Sequence, residues 1–422
     1  MQVFSFHFLF YSLIAAALAL VYLLDITVYW YSAGFTNNFS VITLAMGLLF
    51  FALLVISCPK ENSARGIILQ FFALTHVLPS ILIYVYGAIS LKTGFIVLLA
   101  FLVLVAASSV RMPKLAFSGL TERHFMYGAL ALQSLIVLMV IRLQGFGSFN
   151  LDIMKVYDFR REVQDNLPRI FSMLNSWSGK VLLPLGLILT IRQRSYFILS
   201  ALLLLMVLLF GLTQHKTTLI LPLGALLIYI TLQKVAGVRA IFSVVSLMVA
   251  ISFVEVLVSS LVFNTSTPSF FTSLVVRRAL FLPPLLNDYY VQLFNSEPFV
   301  FWAGILDAVF NLQYPLPMPP AFLVGLDFFG ADDMSANTGF VGSGYANAGT
   351  TGAVLYAFFL GLAIAFVRSQ AKRVGTAMVA SVAIFPIYTG LTASDLPSTL
   401  ISHGLLLNLL LLAFLPSRTA DN

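Results

Sequence analysis

Apolar residues along this chain come in solid blocks separated by short polar breaks, not in strand-like alternation. The blocks run to about 17 to 25 residues, each long enough to cross a hydrocarbon layer of about 30 Å as a helix. They predict about twelve membrane spans, at 8–30, 39–57, 66–86, 94–110, 125–141, 179–191, 195–211, 217–232, 240–262, 349–367, 375–391 and 401–415. The period-two pattern of a membrane barrel is absent, so the expected class is all-α. No repeat of fixed period and no Gly/Ser linker divides the chain, and one polytopic membrane domain over residues 1–422 is expected.

The breaks carry the topology. Those after even-numbered blocks hold Lys60, Arg65, Arg111, Lys114, Arg123, Arg192, Arg194, Lys234, Arg239, Arg368, Lys372, Arg373 and Arg418. Short loops rich in Lys and Arg mark the cytoplasmic side, which puts both termini inside. Two long connections, 142–178 and 263–348, then face outward. Connections of that length without structure are uncommon and usually functional. Within the second, the apolar pieces 279–294 and 299–312 suit helices that lie on the membrane or re-enter it, and the proline-rich stretch 315–320 suits an extended segment.

Composition narrows the partners. The chain is 60% hydrophobic and 9% charged, with mean hydropathy +0.99, whereas soluble domains carry about a quarter charged residues. The first block has no basic residue ahead of it, which favours a retained span over a cleaved leader. A single cysteine, Cys58, excludes an internal disulfide, and His7, His76, His124, His215 and His403 lack metal-ligand spacing. No metal and no cofactor are expected. The net charge of +7 is spread over loops and forms no basic stripe, so membrane lipid or an anionic lipid-linked ligand is the expected partner, not nucleic acid.

Cations outside the membrane, against the usual bias, point to an anion. Arg160, Arg161, Arg169, Arg277 and Arg278 qualify, because a guanidinium offers a permanent charge and a planar fork of donors that suits phosphate oxygens. Arg160 and Arg161 have Asp158, Glu162 and Asp165 nearby as ordinary ion-pair partners; Arg277 and Arg278 meet no acid until Asp288. Lys216, in the polar mouth Gln214-His215-Lys216, either binds an anion or snorkels to the interface. His215 is a candidate general base, because an unperturbed imidazole changes charge near neutral pH, with a structural role as the alternative.

The run Ser335 to Gly349, rich in amides, hydroxyls and glycine, suits sugar binding or close backbone approach, and Asn337 and Tyr345 are its candidate ligands together with Tyr290. It has no phosphate-loop lysine, which excludes a nucleotide loop. Gly349, Gly352 and Gly361 suit helix packing better. The outer acids are Asp288, Asp307, Asp327, Asp332, Asp333 and Asp395; Asp288, next to Tyr289 and Tyr290, is the one selected as a base. Glu255 stands as the one intramembrane carboxylate, with no basic companion in nearby spans, which argues against a proton-coupled transporter.

Four ordered patterns resemble Wzy-type O-antigen polymerases: Tyr157-Asp158-Phe159-Arg160-Arg161-Glu162, the Gly211 to Lys216 mouth, Arg277 to Pro283, and the Asn337 to Gly352 run. The resemblance covers about 152–361; the N-terminal third agrees only in hydropathy, and the spacing from Arg161 to Arg169 and the stretch from Asn175 to Gly179 depart from the pattern. It implies a glycosyltransferase-C-like membrane fold with two long periplasmic loops in the bacterial inner membrane. It also implies an undecaprenyl-diphosphate-linked oligosaccharide as donor and another as acceptor, together with a chain-length-regulating membrane protein. On that basis Arg277 and Arg278, with His215 and Asp288, are the expected catalytic residues of a metal-independent polymerase. Arg160, Arg161, Arg169, Lys216, Tyr290, Asn337 and Tyr345 are the expected substrate contacts. An O-antigen ligase and a flippase for the same lipid-linked sugar are the alternatives.

Overall fold

The computed structural model describes residues 2–117, 119–147, 149–151, 168–260, 267–304 and 314–417; the side chains of 2–5, Gln144 and Arg169 are not described. Among the described residues the secondary structure is helical, with no strand. Nine helices are long and apolar enough to cross a membrane: Phe6–Tyr29, Ala64–Val85, Glu122–Leu143, Ile170–Arg192, Tyr196–Thr213, Lys216–Lys234, Val238–Val258, Phe340–Val374 and Leu396–Phe414. The other three expected blocks form shorter apolar helices of 17 residues each, Val41–Ser57, Leu91–Ala107 and Thr376–Thr392. Large side chains such as Leu13, Ile42, Leu48, Leu135, Phe197 and Leu204 are exposed on these helices, as expected where lipid is the solvent.

The chain folds into two compact units, each assembled from separate stretches. Met1–Val110, Val238–Leu362 and Gly390–Leu396 make the first; Arg111–Gly237, Ala363–Thr389 and Pro397–Asn422 make the second. In the first, the N-terminal helix packs along Val238–Val258, and Val41–Ser57 along Leu78–Val85. Tyr11, Phe72, Phe101, Phe242 and Phe340 fill its interior. In the second, Glu122–Gln144 packs against Leu183–Arg192 and Tyr196–Thr213, around Val137, Val140, Phe171, Leu209 and Leu212.

Both long connections are shorter than the hydrophobic blocks imply. Helix already runs through Arg169–Trp177, continuous with the sixth span, because Pro168 supplies a start and Phe171 is buried on the inner face. The second connection contains Thr272–Phe281, Leu282–Leu293 and Pro320–Phe329. Its last residues join the next span, which begins at Phe340 and breaks at Ala348 and Gly349 (φ +61°). Residues 305–313, with Asp307, and residues 152–167, with Arg160 and Arg161, lie outside the described residues.

Widened, π-helical stretches occur at Tyr22–Ile26, Ala73–Val77, Ser178–Leu182 and Thr272–Phe281. Each of these carries a buried acidic or basic side chain, namely Asp25, His76, Lys180 and Arg277. Such turns recur at functional sites because they redirect side chains without ending the helix.

Candidate functional site

The site grows from the helix that carries Arg277 to Leu293. Two carboxylates cap its start. Asp25 Oδ2 accepts the Ser269 N–H at 3.0 Å, and Glu255 accepts the Phe271 and Thr272 N–H groups at 2.8 Å each and the Thr272 hydroxyl at 2.9 Å. Negative charge at a helix start complements the unpaired N–H groups and the helix dipole. Glu255 is therefore not the isolated intramembrane carboxylate expected from the sequence. Asp25, inside the first span, lies within electrostatic range of both Glu255 and Arg277.

Arg277 is buried, with its guanidinium 3.6 Å from the Trp30 ring centre. Burial works against its charge, and Asp25 favours it. Among the described residues its Nε finds no hydrogen-bond partner, nor does the Trp30 indole N–H. Arg278, by contrast, is exposed. Of the two, Arg278 is the accessible one and Arg277 is held within the protein.

Asp288 is 1% exposed and fully engaged. Its Oδ1 accepts the Ser90 N–H at 2.9 Å, the Ser90 hydroxyl at 2.7 Å and the Thr93 hydroxyl at 2.6 Å, while Gln292 donates to Oδ2. Ser90 is the N-cap of Leu91–Ala107. The carboxylate thus ties two helices together at a cap.

Its neighbour Asn287 ties the same helix to the amide-glycine run. Oδ1 accepts the Thr338 hydroxyl at 2.7 Å and the Gly342 N–H at 3.0 Å, and the amide meets His76 Nε2 at 3.2 Å. The glycines of the run serve close approach. A Cβ at Gly339 would strike the backbone of Leu391 and Thr392, and one at Gly344 the backbone of Gly352 and Ala353. Gly352 and Gly361 are likewise packing positions, Gly361 against Ala107 and the backbone at Leu104.

This packing encloses a cavity of about 220 Å³ in the first unit. Tyr290, Trp302 and Tyr314 supply aromatic walls; Asn337, Thr338, Ser343 and Asn347 supply amides and hydroxyls; Asp395 supplies the carboxylate. Tyr290 donates to Ala336 O at 3.2 Å, and Asn337 to Ser335 Oγ at 2.9 Å. Tyr345 is not on the cavity wall. Its hydroxyl donates to Asn295 Oδ1 at 3.1 Å, and Lys92, which also donates to Asn295, stands 5.2 Å from its ring centre.

A chain of hydrogen bonds fixes the cavity's carboxylate. Tyr356 donates to Asp395 Oδ1 at 2.8 Å and accepts from the Trp302 indole at 2.8 Å and from Asn347 Nδ2 at 3.2 Å. Indole and amide N–H groups only donate, so the single Tyr356 proton goes to Asp395. Burial pushes the Asp395 carboxyl above the usual carboxylate range, against the pull of hydrogen bonds from Tyr356, the Leu396 N–H and Ser343. Tyr289, outside the cavity lining, is pushed up to about 12 by burial and by Asp288.

The second unit holds the remaining candidates. Gln214 (φ +57°) ends one helix, His215 is the N-cap of the next, and Lys216 is its first residue. Both His215 and Lys216 are half-buried. Nearby in the sequence order of that unit, and not foreseen, Lys180 Nζ lies 2.7 Å from His403 Nδ1, which Ser176 Oγ meets at 2.8 Å.

Of the expected contacts, the fold brings Tyr290 and Asn337 to one cavity and leaves Tyr345 beside it. Asp395, Asn347, Trp302 and Tyr356 were not singled out as site residues. Asn347 lay in the amide-glycine run and Asp395 among the unranked acids, whereas Trp302 carries no signal in the sequence. Among the described residues no cluster of three or more His, Cys, Asp or Glu is placed to hold a metal. Comparison of the chain with protein-family models, curated proteins and solved structures finds no match.

Proposed function

We propose that this chain is a membrane glycosyltransferase that joins undecaprenyl-diphosphate-linked oligosaccharide units into a polysaccharide at the periplasmic face of a bacterial inner membrane. In this proposal the twelve apolar helices all cross the membrane in a glycosyltransferase-C-like arrangement. The observation that carries it is the cavity, lined by three aromatic rings, two side-chain amides, the Thr338 and Ser343 hydroxyls and one carboxylate. Aromatic faces with a few convergent polar groups suit a sugar ring, whose faces are apolar and whose rim is hydroxylated. The ordered sequence patterns that resemble Wzy-type polymerases add the substrate class.

Chemistry of this kind needs charge at the leaving diphosphate and a place for the acceptor. Arg278, exposed beside the buried Arg277, is assigned to the phosphates, where fixed guanidinium charge stabilises the leaving group as the bond to the anomeric carbon breaks. Arg277 supports that helix through Trp30 and Asp25.

The test is elongation of a purified lipid-diphosphate-linked repeat unit by the protein reconstituted in vesicles, with a chelator present. A ladder of longer lipid-linked glycans is expected. Arg278→Ala is expected to reduce it about a hundredfold, the effect of losing about 3 kcal/mol of transition-state stabilisation. Delivery of the intact unit across the vesicle membrane without elongation sinks the proposal in favour of a transporter, for which the group of buried Asp25 and Arg277 with half-buried Glu255 would then be the coupling site. Transfer to lipid A-core but not to a second repeat unit would make the protein a ligase.

A further inference from the structure

Phe301 and Trp302 have φ of +46° and +58°, two successive bulky residues in the left-handed region. Each such residue costs on the order of 1–3 kcal/mol and persists only where its surroundings impose it. Here the surroundings are explicit. Val300 N–H donates to Ala346 O at 2.9 Å, Phe301 N–H to Asn347 O at 3.0 Å and Trp302 N–H to Asn347 Oδ1 at 2.8 Å. The Trp302 indole donates to Tyr356, which donates to Asp395. The break at Ala348 and Gly349 ends the short helix that presents Asn347. A strained turn, a broken helix and a buried tyrosine thus converge on one indole and one carboxylate, both on the cavity wall.

Building on the proposed glycosyl transfer, we infer that Asp395 is the general base that accepts the proton of the attacking acceptor hydroxyl, that Trp302 is the platform under the acceptor sugar ring, and that Tyr356 is a positioning residue joining the two. In the step, the acceptor oxygen forms a bond to the anomeric carbon while its proton passes to the Asp395 carboxylate. The carbon–oxygen bond to phosphate breaks, and its electron pair leaves with the diphosphate. The carboxylic acid then loses its proton to water, so charge and atoms balance without a redox partner.

The hydrogen-bond polarity supports this assignment. Tyr356 can only donate to Asp395, so its bond fixes the orientation of the carboxyl and favours the ionised form, against the opposing effect of burial. Among the described residues, Tyr290 and Tyr314, both on the cavity wall, interact electrostatically with Asp395. Neither is a cation that would hold the carboxylate in a salt bridge and withdraw it from proton transfer.

The experiment compares the reconstituted wild type with Asp395→Asn, Tyr356→Phe and Trp302→Ala, following elongation across pH and the melting temperature of each variant. Asp395→Asn keeps the acceptor oxygen for Tyr356 but cannot take a proton, and is expected to lower kcat at least about a hundredfold with KM unchanged. Tyr356→Phe removes a hydrogen bond that lowers the Asp395 pKa, so the acidic limb of the rate profile is expected to move to higher pH. Trp302→Ala is expected to raise KM for the acceptor more than it lowers kcat. Elongation by Asp395→Asn at the wild-type rate, or an unmoved acidic limb in Tyr356→Phe, overturns the inference and leaves the polymerase standing. A wild type that binds but never elongates the lipid-linked unit overturns both.

Discussion

Asp288 and Asp395 are both aspartates of the first unit, both set on the outer side by the hydrophobic pattern, and their surroundings make them different chemical objects. Asp288 is 1% exposed, and four donors from Ser90, Thr93 and Gln292 occupy its oxygens. Asp395 is half-buried at the wall of a cavity, and its strongest partner is a tyrosine whose own proton has nowhere else to go. A carboxylate whose oxygens are taken up by donors at a helix cap serves to hold the fold together. One set against aromatic rings, with a raised pKa, is suited to exchange a proton. The residue type is the same; whether it is sealed between two helices or set at a cavity wall decides the role.

That contrast breaks most readily through activity and stability measured side by side. The largest effect expected is the loss of elongation in Asp395→Asn, set against Asp288→Asn, which should retain its rate per folded molecule. Next comes stability. Asp288→Ala removes the acceptor shared by the Ser90 N–H and the Ser90 and Thr93 hydroxyls, for an expected loss of about 1–3 kcal/mol, read as a fall in melting temperature in detergent.

Asp395→Asn should go the other way. A carboxyl whose folded pKa lies above its unfolded value binds its proton more tightly in the native state, so its contribution to stability is present at low pH and is lost as pH rises through the raised pKa. At neutral pH the neutral asparagine is therefore expected to melt no lower than the wild type. Its advantage should shrink as the buffer is taken down into the carboxylate range, and a melting temperature that falls at neutral pH would count against the raised pKa.

A comparable loss is expected from Gly339→Ala, whose Cβ would meet the backbone of Leu391 and Thr392, just ahead of Asp395. Overpacking of this kind costs about 1–3 kcal/mol, and here it should also depress elongation by displacing the segment that carries Asp395. The smallest effect belongs to Trp30→Leu, which removes the ring beneath Arg277. A loss of about 0.5–2 kcal/mol in melting stability is expected, with the acidic limb of the rate profile unmoved.

Much of the helical framework was legible in the chain. Each of the twelve hydrophobic blocks corresponds to an apolar helix, nine of them long enough to cross a membrane. The boundaries at 179 and 349 were late, because polar residues such as Asn175, Ser343 and Asn347 are buried in helices and read as loop. Asp25 was passed over for a similar reason: one acid inside a long apolar block does not disturb its hydropathy, and its role as a helix cap depends on Ser269.

Hydrophobic patterning is a local property, and burial in lipid demands that every backbone group be satisfied within its own helix. Length, apolarity and the absence of alternation were therefore enough to establish an all-helical, membrane-integrated chain, and the glycine and amide run marked where backbones come close. Which aspartate is capped and which faces a cavity was set by partners far along the chain, Ser90 for Asp288 and Tyr356 for Asp395. The placement of Trp302 rests on Asn347 and Tyr356 in the same way. Hydrogen-bond donors and desolvation, which decide whether a carboxylate supports the fold or moves a proton, act through space, and only the tertiary structure brings them together.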